Sequence, residues 1–174
     1  TMDAGPLLAQ GELALDKNYN SKDLGAILIQ EGAQLLVEVL PAYLAGKLPL
    51  VPQKESEASY TPLIKKTEGL IEWNKEAADI ERTIRAYQPW PTAYTFMRHR
   101  GQYKRLQLLE AAIAQNLTSK KAPGKLETAE KKLLVHCGVG ALVITKLRPE
   151  GKREMSGEEF IRGYDVETFF SHRE

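Results

Sequence analysis

The sequence has few of the residues from which disulfides and metal sites are built. Its 174 residues include one cysteine and three histidines. A single cysteine forms no internal disulfide, and His99, His136 and His172 lie too far apart to match the spacing of metal ligands. Cys137 lies within an apolar run, so we interpret it as a small core residue of a protein in a reducing compartment. The sequence therefore predicts neither a disulfide nor a metal site.

A long hydrophobic segment is also missing. No continuous apolar run approaches the roughly 20 residues that cross a bilayer. The first residues, TMDAG, lack the basic segment and apolar stretch of a secretory signal. We therefore expect a cytoplasmic protein with no membrane partner.

Acidic residues are scarce in one long part of the chain. The formal net charge of the whole sequence is only +1, but residues 79–148 contain 13 basic and 5 acidic side chains, a local net charge of +8. Such an excess is typical of a surface that binds a partner with many phosphates. A solvated basic face without a ligand is the alternative that composition leaves open.

Residues 1–46 have the pattern of the last strand and helix of an α/β domain. Residues 7–10 and 13–15 are predicted to be short extended segments, and Ser21 is a plausible N-cap for the helix that follows. The helix carries an apolar stripe, is interrupted by Pro41 and is expected to end at Gly46. Because this stripe needs a surface to pack against, we interpret the chain as a fragment of a longer protein.

A linker and a second domain are predicted after this segment. Residues 47–68 contain three prolines and no lasting periodicity, which is typical of an interdomain linker. In the domain at 69–174, Asn74 can cap a helix that ends before Pro89-Trp90-Pro91. We interpret Trp90 as a packing anchor rather than a ligand-stacking residue, because a tryptophan buries a large area.

Short strands follow the tryptophan turn. Strand patterns occur at 92–97, 103–112, 124–127, 131–137 and 141–147, with a hairpin turn around Gly101. A capping box at Ser156 and Glu159 predicts a helix over 157–163, in which Phe160 and Ile161 face inward. The prediction is an α+β fold: a small oligonucleotide-binding-like β-barrel with flanking helices, after a strand–helix remnant of a Rossmann-like α/β domain. Strand spacing alone does not separate this barrel from other small barrels.

Several motifs occur in an order and spacing that resemble a known family. They are IEW at 71–73, ADIER at 78–82, IRAY at 84–87, PWP at 89–91, PG at 123–124 and PEGKREMS at 149–156. Together they resemble the C-terminal domain of methionyl-tRNA formyltransferase. Upstream, the DAGP segment at 3–6 and the VPQ segment at 51–53 resemble the end of that family's catalytic domain and its linker. The resemblance extends over nearly the whole chain.

The resemblance implies a reaction and its co-substrate. The family transfers a formyl group from 10-formyltetrahydrofolate to the amino group of methionyl initiator tRNA, using an asparagine, a histidine and an aspartate. Asp3 matches the aspartate, which would orient the histidine or move a proton. No motif matches the other two residues, so we expect this chain alone to bind no folate and to catalyse no formyl transfer. Without the resemblance, we would interpret Asp3 as a turn residue beside Gly5-Pro6.

The resemblance also implies a tRNA-binding surface, and the basic side chains indicate where it lies. They are grouped near two predicted turns: Arg98, Arg100, Lys104 and Arg105 at the first, and Lys120, Lys121 and Lys125 at the second. Cations at hairpin tips contact phosphates without reading bases, as binding to an A-form acceptor stem requires. Two kinds of alternative remain: a fragment of a sugar-nucleotide formyltransferase or formyltetrahydrofolate hydrolase, and a free-standing RNA-binding module.

Overall fold

The structure is a computed structural model and describes residues 3–115, 121–166 and 168–171. Two compact units make up the chain, Thr1–Leu63 and Ile64–Glu174. Each unit is described by itself.

The main element of the first unit is a long helix, α1, which spans Ser21–Leu44. Its N-cap is Asn20 rather than the predicted Ser21, because the Asn20 side chain accepts a 2.9 Å hydrogen bond from the amide of Asp23. Pro41 lies inside the last turn, and Gly46 follows the helix with a φ of 65°. Within the described residues, the extended segments predicted at 7–10 and 13–15 are not regular strands. Leu7 alone forms an isolated bridge, to Val51.

Helix α1 presents apolar side chains to solvent. No residue of the helix is buried, and Ile29, Val37 and Leu44 are each more than 70% exposed (75%, 72% and 75%). Although charged residues interrupt its apolar run, the helix is long and apolar enough to cross a membrane, by length and composition alone. A helix that packs against another protein surface meets the same two criteria, so this property does not by itself place α1 in a membrane.

The second unit contains a curled antiparallel sheet. Its strands are β1 Tyr94–His99, β2 Gln102–Ile113, β3 Leu126–Ala129, β4 Lys132–His136, β5 Ala141–Pro149, β6 Met155–Ser156 and β7 Phe169–Phe170. The order across the sheet is β3-β4-β5-β2-β1-β7, and β6 pairs with β5. An isolated antiparallel bridge between Lys125 and Thr168 brings the two ends of this order together. The five predicted strands are therefore observed, with ends that differ by up to about two residues.

Two helices accompany the sheet. Helix α2, Ala77–Ala86, buries Ile80 and Ile84 against it, and its N-cap is Glu76 rather than the predicted Asn74. Helix α3, Gly157–Gly163, has the predicted capping box: the Ser156 hydroxyl accepts from the amide of Glu159, and the Glu159 carboxylate accepts from the amide of Ser156. The hydrogen bonds to this carboxylate, first from the Ser156 backbone and then from Arg153, lower the pKa of Glu159.

The apolar core lies between the helices and the inner face of the sheet. Its largest fully buried side chains include Phe160, Phe169, Leu106 and Leu108. Cys137 is buried with them, as predicted, and burial raises the pKa of its thiol to about 11. Ile161 is partly buried against this cluster, so both inward-facing predictions for α3 are confirmed.

The prediction for Trp90 is wrong. Its side chain is 57% exposed, whereas Trp73 is 2% exposed and is the tryptophan of the core. The Pro89-Trp90-Pro91 turn is closed by its own neighbours: the amide of Thr92 donates to the carbonyl of Tyr87, and the Thr92 hydroxyl donates to the carbonyl of Pro89. These bonds fix the backbone of the turn without requiring the indole to pack inward.

Candidate nucleic-acid interface

The first group of predicted binding residues lies on the hairpin that joins β1 and β2. Arg100 and Gly101 form its two-residue turn, and both have positive φ angles, 51° and 76°. Two consecutive positive φ angles define the turn type that best fits the twist of paired strands, and this requirement accounts for glycine at 101. Arg100 is consequently held at the exposed tip.

The basic residues of the hairpin are divided between the two faces of the sheet. Residues directly opposite each other in an antiparallel pair share a face. Arg98 lies opposite Tyr103, and Arg105 lies opposite Phe96, so both arginines are on the outer face. Lys104 lies opposite the buried Met97, so the Lys104 side chain leaves the backbone on the inner face of the sheet.

Arg105 is held in place by packing and by its backbone. Its guanidinium carbon lies 3.8 Å from the centroid of the Tyr94 ring, a cation–π contact. Its amide donates a 3.1 Å hydrogen bond to the Glu150 carboxylate. The Nε and Nη2 atoms are buried and have no hydrogen-bond partner among the residues that the structure describes. The stacked guanidinium is thus less accessible to a phosphate than Arg98.

Arg98 and Lys125 line one open cleft of about 700 Å³. The other residues that line it are Gly101, Asp165, Val166, Thr168 and Phe170. The sequence predicted both cations but assigned them to separate turns. We call this site the Arg98–Lys125 cleft.

The cleft is assembled where β7 meets the residues before β3. The amide of Phe169 donates a 2.8 Å hydrogen bond to the carbonyl of Gly124, beside the Lys125–Thr168 bridge. Gly124 has a φ of 82°, and a Cβ there would overlap the carbonyl oxygen of Phe169. Glycine at 124 therefore permits the approach that places Lys125 at the cleft. Sequence patterns missed Asp165, Thr168 and Phe170, because no periodic signal marks so short a strand.

The second group of predicted binding residues is only partly at the cleft. Lys121 forms a 3.0 Å ion pair with Glu127, which also lies 3.0 Å from Nε2 of the buried His136. The amide of Lys121 donates to Nδ1 of His136 over 3.4 Å, so Nε2 carries the proton that is donated to Glu127. The Lys121 charge is thus balanced within the protein. Lys120 lies outside the described residues.

Asp3 belongs to the first unit and is exposed. It has a positive φ of 62°, and its carbonyl oxygen accepts a 2.9 Å hydrogen bond from the side chain of Gln53. In the parts of the chain that the structure describes, there is no group of three or more His, Cys, Asp or Glu side chains that could hold a metal ion.

Comparison with known proteins places the chain in a family. The model of the "formyl transferase, C-terminal domain" family matches residues 63–165. Methionyl-tRNA formyltransferase of Chloroflexus aggregans is 42% identical over 164 residues, which cover 93% of this chain and 52% of that protein. The Bacillus velezensis enzyme of the same name is 36% identical over 168 residues, with 95% and 51% covered. The chain spans about half the length of the curated relatives it matches.

Solved structures show the same fold in a more distant protein. A variant of HypX from Aquifex aeolicus superimposes with a TM-score of 0.66 at 20% identity, over 92% of this chain and 29% of HypX. HypX in complex with tetrahydrofolic acid gives a TM-score of 0.63 at 19% identity, over 92% of this chain and 28% of HypX. Because the family model covers more than half of the sequence, the chain belongs to the formyl transferase C-terminal domain family.

Proposed function

We propose that this chain is the C-terminal half of a cytoplasmic methionyl-tRNA formyltransferase and that its second unit holds initiator methionyl-tRNA by the phosphate backbone. The whole enzyme would transfer a formyl group from 10-formyltetrahydrofolate to the amino group of the methionyl ester. The observation that carries the proposal is the cleft that Arg98 and Lys125 share, within a segment of net charge +8. The relatives that are named methionyl-tRNA formyltransferase support the proposal.

The hairpin charges are suited to binding phosphates. Arg98 and Arg100 are exposed, and neither forms an ion pair with any residue in the described ranges. By contrast, Lys146 is held between Glu154 and Glu110, and the hydrogen bond and charge of Glu154 raise the pKa of Lys146. A cation without an internal partner loses no existing contact when it binds a phosphate. We therefore assign the first contacts to Arg98 and Arg100, with Lys104, Arg105, Lys121 and Lys125 around them.

The finer structural assignments belong to the same proposal. Residues 1–46 would be the end of the catalytic domain, 47–68 a linker, and 69–174 an oligonucleotide-binding-like barrel that carries the tRNA contacts. The residues present do not fit a folate site. Asp3 is exposed, and no sequence motif matches the asparagine and histidine with which the family's aspartate acts. We therefore derive no catalytic step from this chain.

A salt titration of initiator tRNA binding tests the proposal. Each phosphate contact releases counterions, so affinity is expected to fall steeply with salt, and Arg98→Gln or Arg100→Gln should reduce the log–log slope by about 0.7 to 0.9. Each substitution should weaken binding by roughly fivefold, the effect of a contact worth about 1 kcal/mol. Elongator tRNA should be affected equally, because backbone contacts do not read sequence.

Arg162→Gln is the matched control. It removes the same charge from an exposed arginine that is paired with Glu158 on α3. Binding that is independent of salt, or an equal loss of affinity in Arg162→Gln and Arg98→Gln, would contradict the proposal. A sugar-nucleotide formyltransferase or a formyltetrahydrofolate hydrolase would show no tRNA binding at all, so the same titration distinguishes those alternatives.

A further inference from the structure

We infer that the Arg98–Lys125 cleft binds one unpaired nucleotide of an RNA strand, with the phosphate between the two cations and the base against the ring of Phe170. The inference rests on the proposed function and adds to it. Contact with a duplex backbone alone needs only cations on an accessible surface. This site also has an open cleft of about 700 Å³ and an aromatic side chain.

The size of the cleft fits a nucleotide better than a duplex. Its volume of about 700 Å³ lies within the range of pockets that enclose small organic ligands, about 300 to 1,000 Å³. A duplex presents its phosphates on a convex surface and keeps its bases stacked inside. A base of a single strand can enter the cleft, because it is unpaired and its neighbouring nucleotides can stay outside.

The Phe170 ring is held in position before any ligand binds. Tyr103 makes a T-shaped contact with it, with ring centroids 5.6 Å apart. The Phe170 carbonyl accepts a 2.8 Å hydrogen bond from the hydroxyl of Thr95, and β7 pairs Phe170 with Phe96 of β1. A half-buried ring that is held by a neighbouring ring and by its backbone loses little further conformational freedom when it stacks on a base. Stacking of this kind tolerates any base, since every base has a π face.

The charged and polar groups at the cleft suit the phosphate of an RNA strand. Arg98 and Lys125 supply two positive charges, and Asp165 contributes a carboxylate. The two cations and the carboxylate together leave a net charge of +1 at the cleft, which matches the single negative charge of a phosphodiester. The Asp165 carboxylate and the Thr168 hydroxyl can also accept hydrogen bonds from the ribose hydroxyl or from base amino groups.

The test uses the full chain and two RNA probes. One is a single-stranded hexaribonucleotide with a central 2-aminopurine, whose fluorescence falls when it stacks on an aromatic ring. The other is an RNA duplex of about 20 base pairs without overhangs. We expect Phe170→Leu to weaken hexamer binding by about tenfold and to abolish the quenching. Duplex binding should change by less than about twofold, whereas Arg98→Gln should weaken both probes.

Two comparisons exclude trivial explanations. Phe170→Tyr keeps a ring and should bind and quench like the unsubstituted protein, and unchanged duplex binding by Phe170→Leu shows that it is folded. If Phe170→Leu changes the affinity for neither probe, or weakens the binding of both equally, the inference is wrong. The proposed tRNA binding by the hairpin is not affected by that outcome. If a free uridine monophosphate binds as tightly as the hexamer, the ligand is a free nucleotide and the inference is also wrong. If neither tRNA nor the duplex binds, the proposed function itself fails.

Discussion

The indole nitrogen of Trp73 donates a 3.0 Å hydrogen bond to the hydroxyl of Thr95, and both residues are buried. The same hydroxyl donates a 2.8 Å hydrogen bond to the carbonyl of Phe170. One side-chain oxygen thus joins the segment before α2, strand β1 and the strand that carries the cleft's aromatic ring.

Thr95→Val should lower the free energy of unfolding by about 1 to 3 kcal/mol, because it keeps the shape of the side chain but leaves the buried indole N–H without an acceptor. Denaturant unfolding measures the change. Thr128→Val, at an exposed position on β3, is the control and should change the free energy by less than about 0.5 kcal/mol. Equal effects of the two substitutions would contradict the structure.

The two tryptophans should differ strongly in their contributions to stability. Trp73→Ala removes a buried ring and should destabilise the fold by about 3 to 5 kcal/mol. Trp90→Ala removes a side chain that is 57% exposed and should cost less than about 1 kcal/mol in thermal or denaturant unfolding. A loss of tRNA affinity in a stable Trp90→Ala variant would assign the exposed indole to ligand binding. Equal destabilisation by both substitutions would indicate that the Trp90 side chain is also buried in the core.

Gly138 is expected to tolerate no side chain. A Cβ at this position would overlap the carbonyl oxygen of Asn74, and the Gly138 amide donates a 2.8 Å hydrogen bond to the carbonyl of Trp73. Gly138→Ala should therefore cost about 1 to 3 kcal/mol through displacement of the backbone before α2. Gly163→Ala, where a Cβ would meet nothing within 4 Å, should change stability by no more than about 1 kcal/mol.

The thiol of Cys137 should be unreactive in the folded protein. Its pKa is raised to about 11 by burial, so almost no thiolate exists near pH 8 and alkylation by iodoacetamide should proceed only after unfolding. The raised pKa stabilises the fold fully below the unfolded value near 9, and this contribution is lost as pH rises toward about 11. Cys137→Ala should remove that part of the pH dependence in unfolding curves between about pH 9 and 11. Rapid alkylation under native conditions would refute the buried position.

Local signals explain which features the sequence predicted. Arg100-Gly101 and Gly138 to Gly140 mark turns by residue type, so the strands beside them were predicted nearly to their ends. The capping box of α3 is equally local. Strand β7 is only two residues long and exists because β1 and the Gly124 carbonyl pair with it, and no local pattern encodes such a partner.

Long-range contacts also explain what the sequence missed in the site. The cations of the hairpin were predicted as one group, but strand register separates Lys104 from Arg98, and register depends on the pairing of whole strands. Likewise, the bridge from Lys125 to Thr168 brings the second turn to the first. For Trp90, the proline turn predicted a fixed backbone correctly but did not determine whether the side chain is buried.

The isolated bridge between Lys125 and Thr168 joins the two ends of the curled sheet beside the cleft. Strand β2 is hydrogen-bonded to β1 on one side and β5 on the other, so we expect its amides to exchange with solvent mainly through unfolding of the whole unit. An isolated bridge has no ladder beyond it and separates at a lower free energy than a continuous pair of strands. We therefore expect the Phe169 amide, which donates to the Gly124 carbonyl beside this bridge, to exchange with solvent faster than the amides of β2.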